Sequence, residues 1–370
     1  KNGLITTVDS NIPRLEYPMI DGVQKGCPSL LLEPQSTNLI THSIDLTNSS
    51  WGKTNGGAGS VPIVTSNYSI SPDGTQNADR VIFDLNGGTA NGDISQVAIS
   101  FGGVSSASYT NSVYIKSNTA NDYDLVVTDP SGGNVVKTIT PQWQRFDNSR
   151  TSVTNLSIRI RLRGDESTSD YADVSIWGAQ VEQQSYPTSL INTSGNAVTR
   201  NAETCNGAGD AATFSDSEGV LFLNLSALAD DLTNRVISIS SGTAANKIQL
   251  KFDNSSNQIE YDVARGSVSQ VAIDRVITDT TLYNKIACKW KVNDFSLWVN
   301  GFEIGTDASG NTPLGLSNLS FYDGNGGNSF YGNTKDVRVY NSALTDSELE
   351  KISSWTSFSD MANGQQYSII

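Results

Sequence analysis

Groups that could perform acid–base or nucleophilic catalysis are sparse in this chain. His42 is the single histidine, and the surrounding THSIDLTN contains no nucleophile elbow. A glycosidase needs two facing carboxylates, yet no Glu-x-Asp-x-x-Glu strand occurs. The nearest carboxylates on one strand face, Glu260 and Asp262, have the spacing of an ordinary solvated pair. We therefore predict that the protein is not an enzyme, and a polysaccharide hydrolase or lyase is an alternative.

Two glycine-rich loops contain the hard oxygen ligands that calcium prefers. FYDGNGGNSF offers Asp323, Asn325 and Asn328, and FDLNGGTANGD offers Asp84 and Asp93. Neither loop has the ligand spacing of an EF-hand, and the same side chains commonly close Asx-turns. A structural Ca2+ is one prediction for these loops, and turn closure is the other.

Several aromatic residues have the polar neighbours that a glycan site needs, because ring faces stack on sugars while amides and charged groups bind hydroxyls. In FSLWVN, Trp298 shares a strand face with Ser296 and Asn300, which favours an exposed indole. The comparable candidates in the N-terminal half are Trp51, Tyr68, Tyr109 and Tyr114. Core or rim packing is the alternative for all of them, and it is the prediction for Trp143 and Trp177.

An arginine stripe is unusual in so acidic a chain. In LSIRIRLRG, Arg159, Arg161 and Arg163 lie on one strand face, opposite an apolar face. Three guanidinium groups could bind the carboxylates or sulfates of an acidic polysaccharide. Cross-strand pairing with Asp and Glu side chains is the alternative.

The elements that must position these residues are strands. The chain has 370 residues, of which 37% are hydrophobic and 17% charged, with 32 glycines. That composition favours strands joined by turns, and the length indicates two or more domains. The net charge of −14 and the pI near 4.5 argue against nucleic acid and membrane-surface partners.

We predict an all-β protein built from two tandem antiparallel β-sandwiches. Residues 1–37, rich in proline, form an extended N-terminal arm, and a jelly roll occupies residues 38–185. Residues 186–215 form a linker, and a second sandwich covers residues 216–370. A short C-terminal helix begins at the capping box of Thr345 and Glu348, which turns Leu349 and Ile352 inward.

The three cysteines indicate neither a zinc site nor a disulfide framework. Cys288 alternates with apolar residues and is predicted to be a buried thiol. Cys27 and Cys205 lie in loop-like sequence, where a disulfide and two free thiols are both open.

Several phrases resemble a family of bacteriophage virion proteins. They are SNIPRLEYPMIDGVQKGCPSLLLEPQSTNLI, WGAQVEQQSYPTSLINTSGNAVTRNAETC, KVNDFSLWVNG and SFSDMANGQQYSII. FYGNTKDVRVYNSALTDSELEKI resembles the closing phrase of laminin-G-like domains. The resemblance covers nearly the whole chain and implies a carbohydrate-binding-module-like jelly roll followed by a laminin-G/concanavalin-A-like domain.

The resemblance also implies a function, a metal site and an assembly. Asp173, in DYADVSIWGAQVE, matches the position of a structural Ca2+ ligand in such jelly rolls. The expected role is a tail fibre, receptor-binding protein or head fibre that binds surface glycans, assembled in the host cytoplasm with other virion proteins, with a homotrimer as the usual oligomer. The alternatives are a purely structural virion protein and a secreted bacterial carbohydrate-binding protein. The chain starts at Lys1, and we expect it to be part of a longer protein.

Overall fold

The computed structural model describes residues 4–17, 19–20, 23–24 and 26–364, and it confirms the predicted all-β class. Two compact units are present. The first comprises Lys1–Thr7 and Gln35–Asn201, and the second comprises Val8–Pro34 and Ala202–Ile370. The residues predicted as arm and linker are therefore divided between the two units. Among the described residues, no helix is long and apolar enough to span a bilayer.

The N-terminal residues form four short strands: β1 Leu15–Glu16, β2 Met19–Ile20, β3 Val23–Gln24 and β4 Ser29–Leu32. The strands of the first unit are β5 Ser36–Asn38, β6 Gly52–Gly56, β7 Ile63–Ile70, β8 Gln76–Asp84, β9 Ile94–Ser117, β10 Tyr123–Val127, β11 Val136–Ile139, β12 Gln144–Arg163, β13 Tyr171–Glu182 and β14 Val198–Arg200. The strands of the second unit are β15 Glu218–Ala227, β16 Arg235–Ser240, β17 Lys247–Phe252, β18 Gln258–Arg265, β19 Val268–Val276, β20 Asn284–Lys291, β21 Phe295–Val299, β22 Phe302–Asp307, β23 Asn318–Ser320 and β24 Gly332–Tyr340. Two helices follow, α1 Asp346–Ser353 and α2 Phe358–Gly364.

Two long strands, β9 and β12, build both layers of the first unit. Register shifts interrupt their pairing between Arg150 and Ser157. The first half of β9 pairs with β6, and its second half pairs with β13, which continues to β8 and β7. Bulges bend strands in this way, so a single sheet folds over one hydrophobic core.

Strand alternation decides which residues of the first unit enter that core. In β12 the core residues are Leu156, Ile158, Ile160 and Leu162, as the period-two pattern predicts. In the first half of β13 the core residues are Ala172, Val174 and Ile176. The intervening residues of β13, from Tyr171 to Trp177, therefore lie on the outer face of their layer.

The second unit is a sandwich of two sheets. One has the strand order β1-β4-β24-β15-β20-β21-β22, and the other has the order β19-β18-β17-β16-β23. Strand β4 pairs with β24, and Leu32 enters the core. Part of the segment predicted as an extended arm is thus a sheet strand. Cys288 is buried in the same core, and all three cysteines are free thiols.

The C-terminal helix begins where its sequence predicts. The Thr345 hydroxyl accepts a hydrogen bond from the Glu348 amide, and the Glu348 carboxylate accepts one from the Thr345 amide. Leu349 is fully buried against Trp298 and Phe222. The helix therefore covers the outer face of the seven-stranded sheet.

Candidate functional site

Trp298 is buried beneath helix α1, so the expectation of an exposed indole is wrong. Its side chain is 7% exposed and packs with Leu349, while its Nε1 donates to the Ser296 hydroxyl at 3.2 Å. The strand pattern could not reveal this, because the covering helix follows more than 40 residues later in the chain. Asn300 is a turn residue with φ 51°, and its Oδ1 accepts from the Lys285 amide at 3.0 Å.

The aromatic candidates of the first unit differ in how exposed their side chains are. Trp51 is 1% exposed, and its Nε1 donates to the His42 carbonyl at 2.9 Å, so it is a core residue. Tyr109 is also buried. Tyr114 is half-buried, with its ring 5.5 Å from the Trp177 ring and 5.5 Å from the Arg145 guanidinium. Tyr68, by contrast, is 44% exposed.

The arginine stripe makes contacts within its own unit. Arg161 is 6% exposed and hydrogen-bonds Asn134 and Gln96. Arg163 pairs with Asp165 at 2.9 Å, and Arg159 lies beside the Gly132 turn. Burial, together with the charges of Arg163 and Arg159, lowers the pKa of Arg161 to about 10. A stripe with buried Arg161 at its centre is therefore not an open anion-binding surface.

The carboxylates predicted as calcium ligands close turns instead. Asp323 Oδ1 accepts from the amides of Asn325 and Gly327, and Oδ2 accepts from the Asn328 side chain. The Asn325 side chain accepts from the Ala244 amide. These donors take up three of the roughly four lone-pair sites of the Asp323 carboxylate, so turn closure accounts for its position.

The other glycine-rich loop behaves similarly. Asp93 accepts from the amides of Ala58 and Ala90, each at 2.8 Å, and Asp84 accepts from the Asn86 amide at 2.8 Å. The backbone hydrogen bonds from Ala58 and Ala90 lower the pKa of Asp93 below its ordinary value. Turn closure therefore accounts for both carboxylates.

The two carboxylates that share a face of β18 belong to two separate ion pairs. Asp262 pairs with Lys247 at 3.3 Å, and Glu260 pairs with Lys251. Glu260 also lies with Asp253 and Asp274 in a carboxylate group whose oxygens lie within 4.8 Å of one another. The Lys251 ammonium binds two of these three carboxylates, so one cation of the protein offsets part of the group's negative charge.

A different set of residues meets on the outer face of β13 and its neighbours. We call Arg80, Lys116, Asn118, Asp173 and Ser175 the polar face. Ser175 of β13 is opposite Arg80 on β8 and opposite Lys116 on β9. Side chains on one face of adjacent strands are neighbours, so the register alone brings these residues together.

Hydrogen bonds fix the geometry of the polar face. The Arg80 guanidinium binds both oxygens of Asp173, with Nε donating to Oδ1 at 2.8 Å. The Asn118 side-chain amide also donates to Asp173 at 2.8 Å, and its Oδ1 accepts from the Ser175 hydroxyl at 2.7 Å. Burial opposes ionisation of Asp173, but the hydrogen bonds from Arg80 and Asn118 prevail and lower its pKa. Asp173, the expected calcium ligand, is therefore bound to an arginine.

Aromatic rings surround the polar face. The Arg80 guanidinium lies 4.9 Å from the centroid of the Tyr68 ring. Tyr171, two residues before Asp173 on the same strand face, is 42% exposed. On the opposite side, the half-buried Trp143 ring has its centroid 5.3 Å from the Lys116 ammonium. Two exposed rings and one partly covered ring thus border a set of charged and amide groups.

The end of β7, at its hairpin to β8, lies across part of this surface. The Ser69 hydroxyl donates to Ser175 at 2.8 Å, and the Ile70 carbonyl accepts from Trp143 Nε1 at 3.1 Å. Ser175 is fully buried and Asp173 is 6% exposed, while Arg80, Lys116 and Asn118 are half-buried. The first two residues therefore position the other three, which remain accessible.

This arrangement can bind a sugar but offers no catalytic pair. Exposed ring faces suit the apolar side of a pyranose, and guanidinium, ammonium and amide groups suit its hydroxyls or acidic substituents. Two depressions lie elsewhere, of about 650 Å³ around residues 149–155 and about 510 Å³ around Lys247 and Asp262. Their linings contain no aromatic side chain, so neither provides a stacking surface.

Sequence reasoning found Tyr68 and Asp173 but did not join them, and it missed Tyr171, Arg80, Lys116 and Asn118. The alternation Tyr171, Asp173, Ser175 was available as a signal, because residues two apart in a strand share a face. The sequence contained no signal for the partner strands, because the register between distant strands cannot be inferred from either strand alone.

A family profile agrees with the laminin-G/concanavalin-A-like domain predicted for residues 216–370. Residues 221–350 match the profile of the concanavalin A-like lectin/glucanases superfamily, Laminin_G_3. No curated protein sequence matches the chain.

Three solved structures are similar to the chain over part of its length. The CBM40 of Ruminococcus gnavus IT-sialidase, bound to α2,3 sialyllactose, has 18% identity and a TM-score of 0.34, and the match covers 41% of this chain and 97% of that one. The mouse laminin α1 chain domains LG4-5 have 11% identity and a TM-score of 0.25, with 79% and 96% covered. The CBM22 tandem of Paenibacillus barcinonensis Xyn10C has 13% identity and a TM-score of 0.28, with 82% and 98% covered.

Proposed function

We propose that the protein binds glycans without cleaving them, and that the first unit carries the binding site. The observation that supports this most directly is the polar face. Its Arg80–Asp173 ion pair and its Asn118 amide are bordered by the exposed rings of Tyr68 and Tyr171. The concanavalin A-like lectin profile of the second unit accords with this role. Catalysis is not proposed, because the candidate carboxylates close turns or pair with cations.

We further propose that the chain acts on the surface of a bacteriophage particle, as a tail fibre, receptor-binding protein or head fibre. The support is the sequence resemblance in the stretches quoted above. Several copies on one particle, such as a homotrimer, would raise the avidity of weak sites far above single-site affinity. Gold-labelled antibodies against the chain should decorate purified particles, and particles that remain unlabelled would favour a secreted bacterial protein.

A glycan-array and host-surface binding screen tests the binding proposal. Tyr68→Ala and Tyr171→Ala should each weaken binding about tenfold, because each removes one stacking face, of the order of 1 kcal/mol or more. Phe302→Ala is the matched control, since Phe302 is 72% exposed but lies in the second unit. Binding should be equal with calcium and with a chelator, because the predicted calcium ligands are engaged by hydrogen-bond donors.

Two outcomes would contradict the proposal. Binding that survives both tyrosine substitutions but is lost in Phe302→Ala would indicate that the site lies in the second unit. A correctly folded chain that binds no glycan and no host cell would leave a purely structural virion role as the better account.

A further inference from the structure

The charge of the polar face differs in sign from that of the chain. Arg80 and Lys116 supply two cations and Asp173 one carboxylate, which leaves one net positive charge, whereas the whole chain carries −14. Asp84 lies directly opposite Tyr171 on β8, at the end of this face, and its carboxylate accepts from the Asn86 amide. The positive charge is therefore a local feature.

Lys116 is the source of that charge. Arg80 is neutralised by a two-oxygen contact with Asp173. Among the described residues, Lys116 has no carboxylate within salt-bridge distance, and the Trp143 ring, at 5.3 Å, is the contact of its ammonium. Lys116 is half-buried as a residue, so its aliphatic stem lies against the strand face while its ammonium stays accessible to an anion.

The position of Lys116 suits a ligand that lies along the polar face. Lys116, Ser175 and Arg80 occupy successive strands, and Trp143 lies just before β12 on the far side of β9. Two strand spacings of about 4.8 Å, roughly 10 Å in all, separate Lys116 from Arg80, and Ser69 of the hairpin covers Ser175 between them. A glycan that stacks on Tyr68 and Tyr171 beside Arg80 would bring an anionic substituent of a neighbouring sugar to Lys116.

We propose that the glycan bound here carries a carboxylate, as in a uronic acid, and that Lys116 pairs with it. This inference rests on the proposed glycan-binding function and names the class of its ligand. The ammonium–carboxylate contact would be a charge-assisted hydrogen bond, which is stronger than a neutral one. It would also make binding decrease with added salt, since a partly exposed pair is screened.

The test is binding of the full chain to uronic-acid polysaccharides, using polygalacturonate, alginate and hyaluronan, to their carboxyl-reduced products and to dextran sulfate. We expect the acidic polymers to bind and carboxyl reduction to weaken binding about tenfold or more. Lys116→Gln should cause the same loss for the acidic polymers alone, and Lys116→Arg should restore most of it. Lys137→Gln is the matched control on β11, in the other layer.

The outcomes separate this inference from the function on which it rests. Neutral glycans bound as tightly as acidic ones, with Lys116→Gln unchanged, would overturn the acidic ligand and leave glycan binding standing. A preference for dextran sulfate over every uronic-acid polymer would overturn the proposal that the anionic group of the ligand is a carboxylate. Absence of binding to all glycans would overturn both proposals.

Discussion

At the scale of single residues, the pair of Arg80 and Asp173 determines the shape of the proposed site. The arginine side chain is 28% exposed and the aspartate side chain 9% exposed, so Asp173 lies beneath and Arg80 reaches the surface. Asn118 and Ser175 continue the network and hold the guanidinium in one orientation. Because the orientation is fixed before a ligand arrives, less conformational entropy is lost on binding.

Asp173→Asn should destabilise the first unit by about 1 to 3 kcal/mol, because a charged hydrogen-bond acceptor of Arg80 and Asn118 is lost. The pKa of Asp173 is lowered in the folded state, so its contribution is present above the unfolded value, near pH 4, and is lost as pH falls through the folded value. Unfolding by denaturant between pH 7 and pH 3 should therefore show a smaller acid dependence in the variant. Asp147→Asn, at an exposed position on β12, is the control and should change stability by less than about 0.5 kcal/mol. An Asp173→Asn protein with unchanged acid dependence would show that the pair contributes nothing to stability.

At the scale of secondary-structure elements, strand faces and helix starts were predictable from local sequence patterns. The packing of one element on another that is distant in sequence was not. The alternation of Leu156 to Leu162 predicted a core face correctly, and the capping box at Thr345 predicted the start of α1. The prediction of an exposed Trp298 was wrong because its strand has polar neighbours on that face, while α1 covers the same face in the structure. The polar face was missed for a related reason, since it depends on the register of β8, β9 and β13.

Helix α1 therefore has a prediction of its own. Thr345→Ala should cost about 1 kcal/mol by removing the cap, and Leu349→Ala should cost about 2 to 5 kcal/mol by opening a cavity beside Trp298. Ser347→Ala, an exposed residue of the first turn, should have little effect. Thermal unfolding followed by intrinsic fluorescence measures all three, and equal stability of Leu349→Ala and Ser347→Ala would contradict the burial of Trp298 under the helix.

At the scale of the whole molecule, two sandwiches divide the chain, and the N-terminal residues do not form a separate arm. Residues 8–34 belong to the second unit, where β4 pairs with β24, although 167 residues of the first unit, 35–201, intervene in the sequence. The proposed site lies wholly in the first unit, on strands β7, β8, β9 and β13. Glycan binding should therefore affect one unit and leave the other unchanged.

Hydrogen exchange of the full chain, with and without a bound polysaccharide from the screen, tests this central claim most directly. The account predicts slower exchange in the peptides that contain residues 66–70, 116–118 and 171–175, because a ligand there shields the hairpin and the polar face. Tyr171→Ala should reduce that protection at a polysaccharide concentration near the dissociation constant of the unmodified chain. Protection that appears instead around Lys247, Asp262 or Phe302 of the second unit, with residues 66–70 unchanged, would contradict the account.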